Sequence, residues 1–446
     1  MCRGFRCALT IAVTLGLGTA IRAADWPQWR GPDGDGVSSE TDLPLTWSAT
    51  ENVAWTAGLT GLGVSSPIVF GDRVFVTSQA GTGVRSPGNH PRLVQGGDAA
   101  AEGERALGEA SDVESGTTFL VEAFSRLDGR RLWVYRLEAE GPLAPVHDKH
   151  NLASPSPVTD GRLVYAWFGT GQLVALDMEG RLAWQRHLGE EIGPFEIQWG
   201  HGSSPMLHGD LLILLCHHTP TSYILGVDKT TGETRWKSDQ RAGSTSYSTP
   251  LVIEPASGPE LIVNSSVGLE AFDPRTGESI WYLRETNRFP IPTPFYRDGT
   301  LYASRGYRSG PYMAIRPGGR GDISETHVVW RVDTGAPYIS SLVSYQGLIY
   351  MANDVGVITA IDASSGERIW QQRLDGVYSA SPVAADGKVY FVSENGETLV
   401  IRAGRTPELL ARNDVGARTV ASPAIAGGQI FLRADDRLFC IGVPAR

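Results

Sequence analysis

A ten-residue phrase recurs along the chain. It reads Val227-Asp228-Lys229-Thr230-Thr231-Gly232-Glu233-Thr234-Arg235-Trp236. It returns from Phe272 through Asp273 and Gly277 to Trp281, and from Ile361 through Asp362 and Gly366 to Trp370. A copy one residue shorter runs from Leu176 through Asp177 and Gly180 to Trp184, and a partial copy keeps Gly129 and Trp133. Repetition at a period of roughly 40–50 residues fixes architecture before any single side chain is interpreted, because each unit can bury its apolar faces only against its neighbours.

The complete unit is legible in residues 153–188. A short strand around Ser156-Pro157-Val158 leads into the turn Thr159-Asp160-Gly161-Arg162, where Gly supplies a positive φ. Strands follow over 163–168 and, alternating at period two, over 172–177; a turn at Gly180 leads to a fourth over 182–188. Four short antiparallel strands, repeated, make a propeller blade. First strands recur at Ser66-Pro67, Ser156-Pro157, Ser204-Pro205, Thr249-Pro250, Thr293-Pro294, Ser341-Leu342, Ser381-Pro382 and Ser422-Pro423, which makes eight units. The last unit stops after three strands at Cys440-Ile441-Gly442, whereas residues 52–59 precede the first unit and carry Trp55 where a fourth-strand Trp belongs. The expected fold is therefore all-β: an eight-bladed β-propeller of four-stranded antiparallel blades, closed by an N-terminal strand completing the last blade, which leaves no open edge. The recurrent Trp is expected to pack between blades and not to serve as a ligand platform.

Of the 446 residues, 1–23 read as a secretory signal peptide: Arg3 and Arg6, an apolar run over 8–20, and Ala23 before the cleavage point. The run is shorter than the ~20 residues of a comfortable membrane span, and no later stretch replaces it, so an exported, periplasmic or extracellular protein that is not integral to a membrane is expected. Residues 24–51 form an N-terminal tail expected to pack against the ring, and 52–446 the propeller. A net charge of −10 argues against nucleic-acid binding. Cys2 and Cys7 leave with the signal, and Cys216 and Cys440 are expected to be buried, unbridged thiols. Residues 80–116 interrupt the first unit with a Gly-, Ala- and Glu-rich insertion, expected to be mobile with one short helix near 99–110.

The phrase Ala-x-Asp-x-x-(Thr/Ser)-Gly-x-x-x-Trp, carried by Ala271-Asp273-Gly277-Trp281 and Ala360-Asp362-Gly366-Trp370, resembles the pyrroloquinoline-quinone (PQQ) repeat. That repeat is shared by quinoprotein dehydrogenases and the outer-membrane assembly lipoprotein BamB. The resemblance covers residues from about 52 to the end and implies the propeller fold, but a shared fold leaves function open. It implies either a binding scaffold or a PQQ- and Ca²⁺-dependent oxidoreductase. Enzymes of the second kind carry an adjacent-cysteine pair, which this chain lacks.

Blade connectivity sorts the loops onto two faces. Turns between strands one and two, and three and four, share a hairpin face. Two–three loops and crossings between blades share the other, the crossover face, where a functional site is expected at the mouth of the central channel. His147, His150, His201, His217 and His218 fall there, whereas His187, His208 and His327 are read as lying elsewhere. Such a group is open to three readings: a metal site with His147, His150 and His201 as candidates, a proton-transfer or sugar-hydroxyl site, or loop histidines bonded to backbone. Arg305 and Arg308, flanked by Tyr307, suit a carboxylate or phosphate, or else bridge blade edges. Asn151, Trp199, Tyr338, Asn353 and Asp354 complete the candidate binding residues. The favoured reading is a non-catalytic scaffold binding a protein or small-molecule ligand on this face. PQQ-dependent oxidation, and carbohydrate or metal binding at the His-rich mouth of blades two and three, are the alternatives.

Overall fold

The computed structural model describes residues 25–81, 116–143, 146–147 and 149–443. The expected signal peptide and nearly all of the 80–116 insertion, with its expected helix, lie outside the described residues. Within them the strands form eight sheets, one per repeat. The blades span 68–138, 158–187, 206–239, 251–284, 295–332, 343–373, 383–414, and 424–441 joined by Val53–Gly58. That N-terminal strand pairs antiparallel with Arg437–Ile441, Trp55 opposite Cys440, so the ring closes as the sequence predicts. Cys216 and Cys440 are buried, free thiols.

Third strands such as Ser222–Asp228 are buried along their whole length, whereas fourth strands such as Arg131–Glu138 are largely exposed. First strands of neighbouring blades touch one another. The first strand is thus innermost, around the channel, and the fourth is the rim.

Each part of the repeated phrase has a mechanical role. The Asp caps its own turn: Asp228 Oδ1 accepts from the Thr230 and Thr231 N–H groups at 2.8 and 3.0 Å. The Gly receives the Trp of the preceding blade. An added Cβ would lie 2.7 Å from the Trp184 ring at Gly232 and 2.7 Å from the Trp330 ring at Gly366, and both glycines have positive φ. The same pairing joins Trp55 to Gly129, Trp133 to Gly180, and Trp236 to Gly277. The Trp then donates forward from its indole N–H: Trp133 to the Met178 carbonyl at 2.9 Å, Trp184 to Lys229 at 3.0 Å, Trp370 to Gly404 at 3.0 Å. Sequence repetition is therefore blade-to-blade docking repeated around a circle.

Among the described residues three seams depart from the rule: no motif Gly receives Trp281 or Trp370, and the fourth strand of blade seven, Leu409–Asp414, carries no Trp. The turn of blade five, Arg316-Pro317-Gly318-Gly319-Arg320, lacks the phrase. Trp281 of blade four instead donates to the Glu260 carboxylate at 2.8 Å. The blade-five connection supplies a fifth strand, Gly321–Asp322, parallel to the outer strand of blade four, with Gly321 opposite Trp281.

The (Ser/Thr)-Pro positions form a second ring, nearer the axis. The Ser66 N–H donates to the Ser156 hydroxyl at 2.9 Å, Ser156 to Ser204 at 2.9 Å, and Ser204 to Thr249 at 3.1 Å. The chain of bonds continues through Thr293, Ser341, Ser381 and Ser422 at 2.9 to 3.1 Å. Each hydroxyl satisfies a backbone donor that the following Pro prevents from joining a ladder one residue later.

The N-terminal tail crosses the hairpin face. Trp26 pairs with Val69 of blade one, the Pro27 carbonyl accepts from Thr159 of blade two at 3.0 Å, and Ser38 donates to Ala384 of blade seven at 2.9 Å. The Glu40 carboxylate accepts both turn N–H groups of blade eight, Gly427 at 2.9 Å and Gly428 at 2.8 Å. At the centre, the buried Arg30 guanidinium donates to the carbonyls of Gly34, Asp35 and Leu342, at 3.1, 2.6 and 2.5 Å. Asp35, in the Asp33-Gly34-Asp35-Gly36 stretch, pairs with Arg297 of blade five at 2.5 Å. The tail thus closes the hairpin face and ties together blades that the ring keeps apart.

Candidate functional site at the open mouth

With one face covered by the tail, the crossover face is the approach to the channel. Four aromatic side chains follow one another around its mouth, each from a different loop. Tyr247 lies on the crossing from blade three to four, Phe289 on the next crossing, Tyr307 on the two–three loop of blade five, and Tyr338 on the crossing to blade six. Successive ring centroids are 6.3, 4.9 and 5.5 Å apart. The Tyr247 hydroxyl donates to the Gln198 carbonyl, which joins the arc to the loop bearing Trp199. Arg288 stands over Phe289 at 5.1 Å and Arg308 over Tyr307 at 5.4 Å, both exposed.

The arc ends at a charged group. Asp354 accepts the Tyr338 N–H at 3.2 Å through Oδ2, while Oδ1 is buried without a partner in the described structure. Burial pushes this carboxyl up to about 6, against the opposing field of Lys149. Lys149, on the crossing from blade one to two, reaches over the mouth to Glu394 of blade seven at 2.6 Å, with both side chains mostly buried. The Ser379 hydroxyl also donates to Glu394.

Among the described residues the predicted histidines do not bring three ligand atoms within 4.8 Å of one another, although His201 lies in the field of His218 and His150. The His147 Nδ1 accepts the Lys149 N–H at 3.1 Å, and its ring meets Trp199 edge-on at 5.1 Å. His150 Nε2 donates to the Trp199 carbonyl, and its other nitrogen lies 3.0 Å from the Ser154 hydroxyl. His201 stands edge-on to Trp167 at 4.4 Å, and Phe195 touches both His201, at 5.5 Å, and His218, at 4.1 Å. His217 shares the strand face of Ile213 and Leu215, which packs toward blade four, away from the face carrying Cys216. Both ring nitrogens of His201 and of His217 are buried without protein partners. Burial lowers these two imidazoles to about 3 and His218 to about 4, so all three are neutral at pH 7.

Among the described residues one group brings carboxylates and an imidazole within 4.8 Å of one another: Glu140, His187 and Glu190. His187, read from the sequence as lying off this face, ends the fourth strand of blade two at the crossover face and caps the short helix α1, Leu188–Glu191. Its Nδ1 accepts the Glu190 N–H at 3.3 Å, which leaves the proton on Nε2, and the two carboxylates are exposed. That tautomer suits a donor, not a ligand.

The remaining candidates divide. Arg305 is buried and donates through its Nη atoms to Asn264 and to the carbonyls of Ser265 and Glu285, bridging blade five to blade four. Asn353 caps its own turn, accepting from Val355 at 3.2 Å and Val357 at 2.9 Å. Asn151 ties two crossings together, donating to the Leu62 carbonyl at 2.9 Å. Tyr307, Arg308, Tyr338, Asp354 and Trp199 do line the mouth. Sequence reasoning passed over Lys149, Tyr247, Phe289 and Arg288. A faint signal existed: an aromatic residue stands two or three positions before the axial Ser or Thr at Tyr247, Tyr338 and Tyr378.

A family model described as outer membrane protein assembly factor BamB matches residues 117–318 and 322–406. The chain belongs to this family. The BamB of Yersinia pestis is 23% identical over 300 residues, 62% of this chain and 70% of that protein. BamB of Moraxella catarrhalis superposes with a TM-score of 0.54 at 16% identity, over 73% of this chain and 89% of that one. The quinohemoprotein alcohol dehydrogenase of Comamonas testosteroni superposes with a TM-score of 0.67 at 13% identity, over 95% of this chain and 81% of that one. At such identities the solved structures report the fold alone. Among the described residues no helix is long and apolar enough to cross a membrane.

Several groups that could serve a quinone with Ca²⁺ are committed elsewhere. Arg305 faces blade four, Asn353 is occupied by its own turn, and Cys216 and Cys440 are separate buried thiols.

Proposed function

We propose that the chain is an exported, non-catalytic scaffold that binds a partner protein across its crossover face, with the aromatic arc as the central contact. The observation that carries this reading is the pairing of a sealed hairpin face with an open mouth lined by Tyr247, Phe289, Tyr307 and Tyr338. Tyr247, Tyr307 and Tyr338 are partly exposed around the buried Phe289; aromatic side chains on a rigid frame bury large area at low entropic cost, and such residues dominate protein interfaces. Kinship with an assembly factor supports the same class. Export rests on the Arg3, Arg6 and 8–20 pattern; N-terminal sequencing of the mature protein is expected to begin after Ala23.

The test is site-specific photo-crosslinking in the native compartment. A crosslinker at Tyr307 is expected to capture a defined protein, and one at Thr234, on an outer strand, to capture none. Equal labelling at both positions, or none at Tyr307, would refute the scaffold reading. Tyr307→Ser is expected to abolish capture from a neighbouring reporter position while costing under ~1 kcal/mol of stability.

A second reading, oxidoreduction, draws support from Asp354, a buried carboxyl raised to about 6 in the range useful to a general base, and from the quinohemoprotein fold neighbour. PQQ with Ca²⁺ at saturation is expected to leave the melting temperature unchanged. A stabilising shift with cofactor absorbance would favour this second reading over the first.

A further inference from the structure

We propose that the partner segment seated on the mouth is an acidic peptide, its carboxylates held by Arg288 and Arg308 and an apolar or aromatic residue laid on the arc between them. This rests on the scaffold reading and names the chemistry of its partner.

Three observations carry it. Arg288 and Arg308 are exposed, and among the described residues neither has a carboxylate within 4.0 Å. Each guanidinium lies over an arc ring, 5.1 and 5.4 Å from its centroid, and those two rings, Phe289 and Tyr307, meet edge-to-face at 4.9 Å. A guanidinium held over a ring face keeps N–H groups free for bidentate carboxylate recognition.

The second observation is backbone conformation. Arg308 and Ser309 both lie in the left-handed region, at φ 56° and 57°. Two successive non-Gly residues there are costly and persist only where the surroundings hold them. Here Gly335 holds them, donating its N–H to the Ser309 hydroxyl at 3.0 Å and toward the Ser309 carbonyl at 3.2 Å. Arg308 is thereby presented outward on a pinned turn.

The third is charge placement. Asp354 and Glu394 lie deeper in the mouth against one cation, Lys149. Acidic groups of a partner are excluded from that depth and kept at the rim, where the arginines are. Two local cations on a chain of net charge −10 suit a short acidic segment; a long polyanion would meet repulsion from the rest of the surface.

The experiment measures fluorescence anisotropy of a labelled peptide, Gly-Asp-Asp-Trp-Asp-Asp-Gly, with the full mature chain. The expected result is saturable binding, weakened about threefold by Arg288→Gln or Arg308→Gln alone, at least tenfold by both, and abolished when Asn replaces Asp in the peptide. Both arginines are exposed, so an unchanged melting temperature confirms that the variants fold. Equal affinity of wild type and double variant, equal affinity of the Asn peptide, or no binding of the acidic peptide overturns the proposal. So does a sulfated polysaccharide that binds more tightly with the same arginine dependence. Crosslinking from Tyr307 separates the two levels. Partner capture that survives the double variant refutes the acidic-segment inference and leaves the scaffold, whereas loss of all capture in the wild type refutes the scaffold itself.

Discussion

The two faces of the ring are built on opposite plans. The hairpin face largely repeats: short Gly turns capped by Asp, five of them receiving the Trp of the preceding blade, and a tail that spans them. The crossover face does not repeat, and almost every loop contributes a different side chain to one mouth. The contrast shows where identity of sequence is needed and where it is dispensable. Docking one blade on the next is the same task at five of the eight seams, and there it uses the same Asp, Gly and Trp. Surrounding one ligand from eight directions needs eight different loops on a scaffold that does not move.

The sharpest way to break this contrast is at a seam that departs from it. Trp281 is fully buried but pairs with Glu260 and an added strand in place of a motif glycine. Trp281→Ala is expected to cost roughly 3–5 kcal/mol, read from the urea midpoint; an unchanged midpoint would mean that the exceptional seam bears no load. The tail comes next. Arg30→Met is expected to cost about 1.5–3 kcal/mol through lost charge-assisted bonds and three orphaned carbonyls, with peptide binding at the mouth unchanged. A loss of binding at full stability would join the two faces that the structure separates.

On the crossover face the sign reverses for Asp354. Its folded carboxyl titrates near 6, above its ordinary value, so the stability it contributes is complete below about pH 4 and is lost as pH rises through 6. Asp354→Asn is therefore expected to stabilise the protein at pH 7 by about 1–3 kcal/mol, with the gap closing in acid. A destabilised variant at pH 7 would show that the carboxylate is held charged by Lys149.

The smallest effect belongs to the buried imidazoles. His201 and His217 titrate near 3 in the folded chain, below the unfolded value near 6.5. Their contribution is present above 6.5 and is lost as pH falls toward 3, by about 1 kcal/mol per histidine for the first unit of pH. His217→Leu is expected to flatten the melting-temperature profile between pH 6.5 and 5 without loss at pH 7. An unaltered acid limb would place the proton sensitivity elsewhere.

Much of the site was beyond sequence reasoning for a geometric reason. Arg305 and Arg308 are three residues apart in one loop and look like a pair. The chain turns left-handed between them, sending one inward to blade four and the other out to solvent. Arg308 gains its companion, Arg288, from another loop altogether. His147, His150, His201, His217 and His218 share the loops of blades two and three in the sequence, but His217 ends its strand on the face toward blade four while His218 opens the following loop against Phe195 and Tyr223. His187 was misplaced because a strand end belongs to whichever face the strand reaches.

The sequence by itself determined the ring: the unit, its eightfold count, the seam at Trp55, and the Asp, Gly and Trp that lock one blade to the next. These are relations between positions at fixed spacing, repeated often enough to be read against each other. Only the tertiary structure decided which face stays open, because residues 25–47 contact the hairpins through single, unrepeated bonds. It alone assembled Tyr247, Phe289, Tyr307, Tyr338, Asp354 and Lys149 into one mouth. That assembly depends on where six separate loops end in space, and no spacing along the chain encodes it.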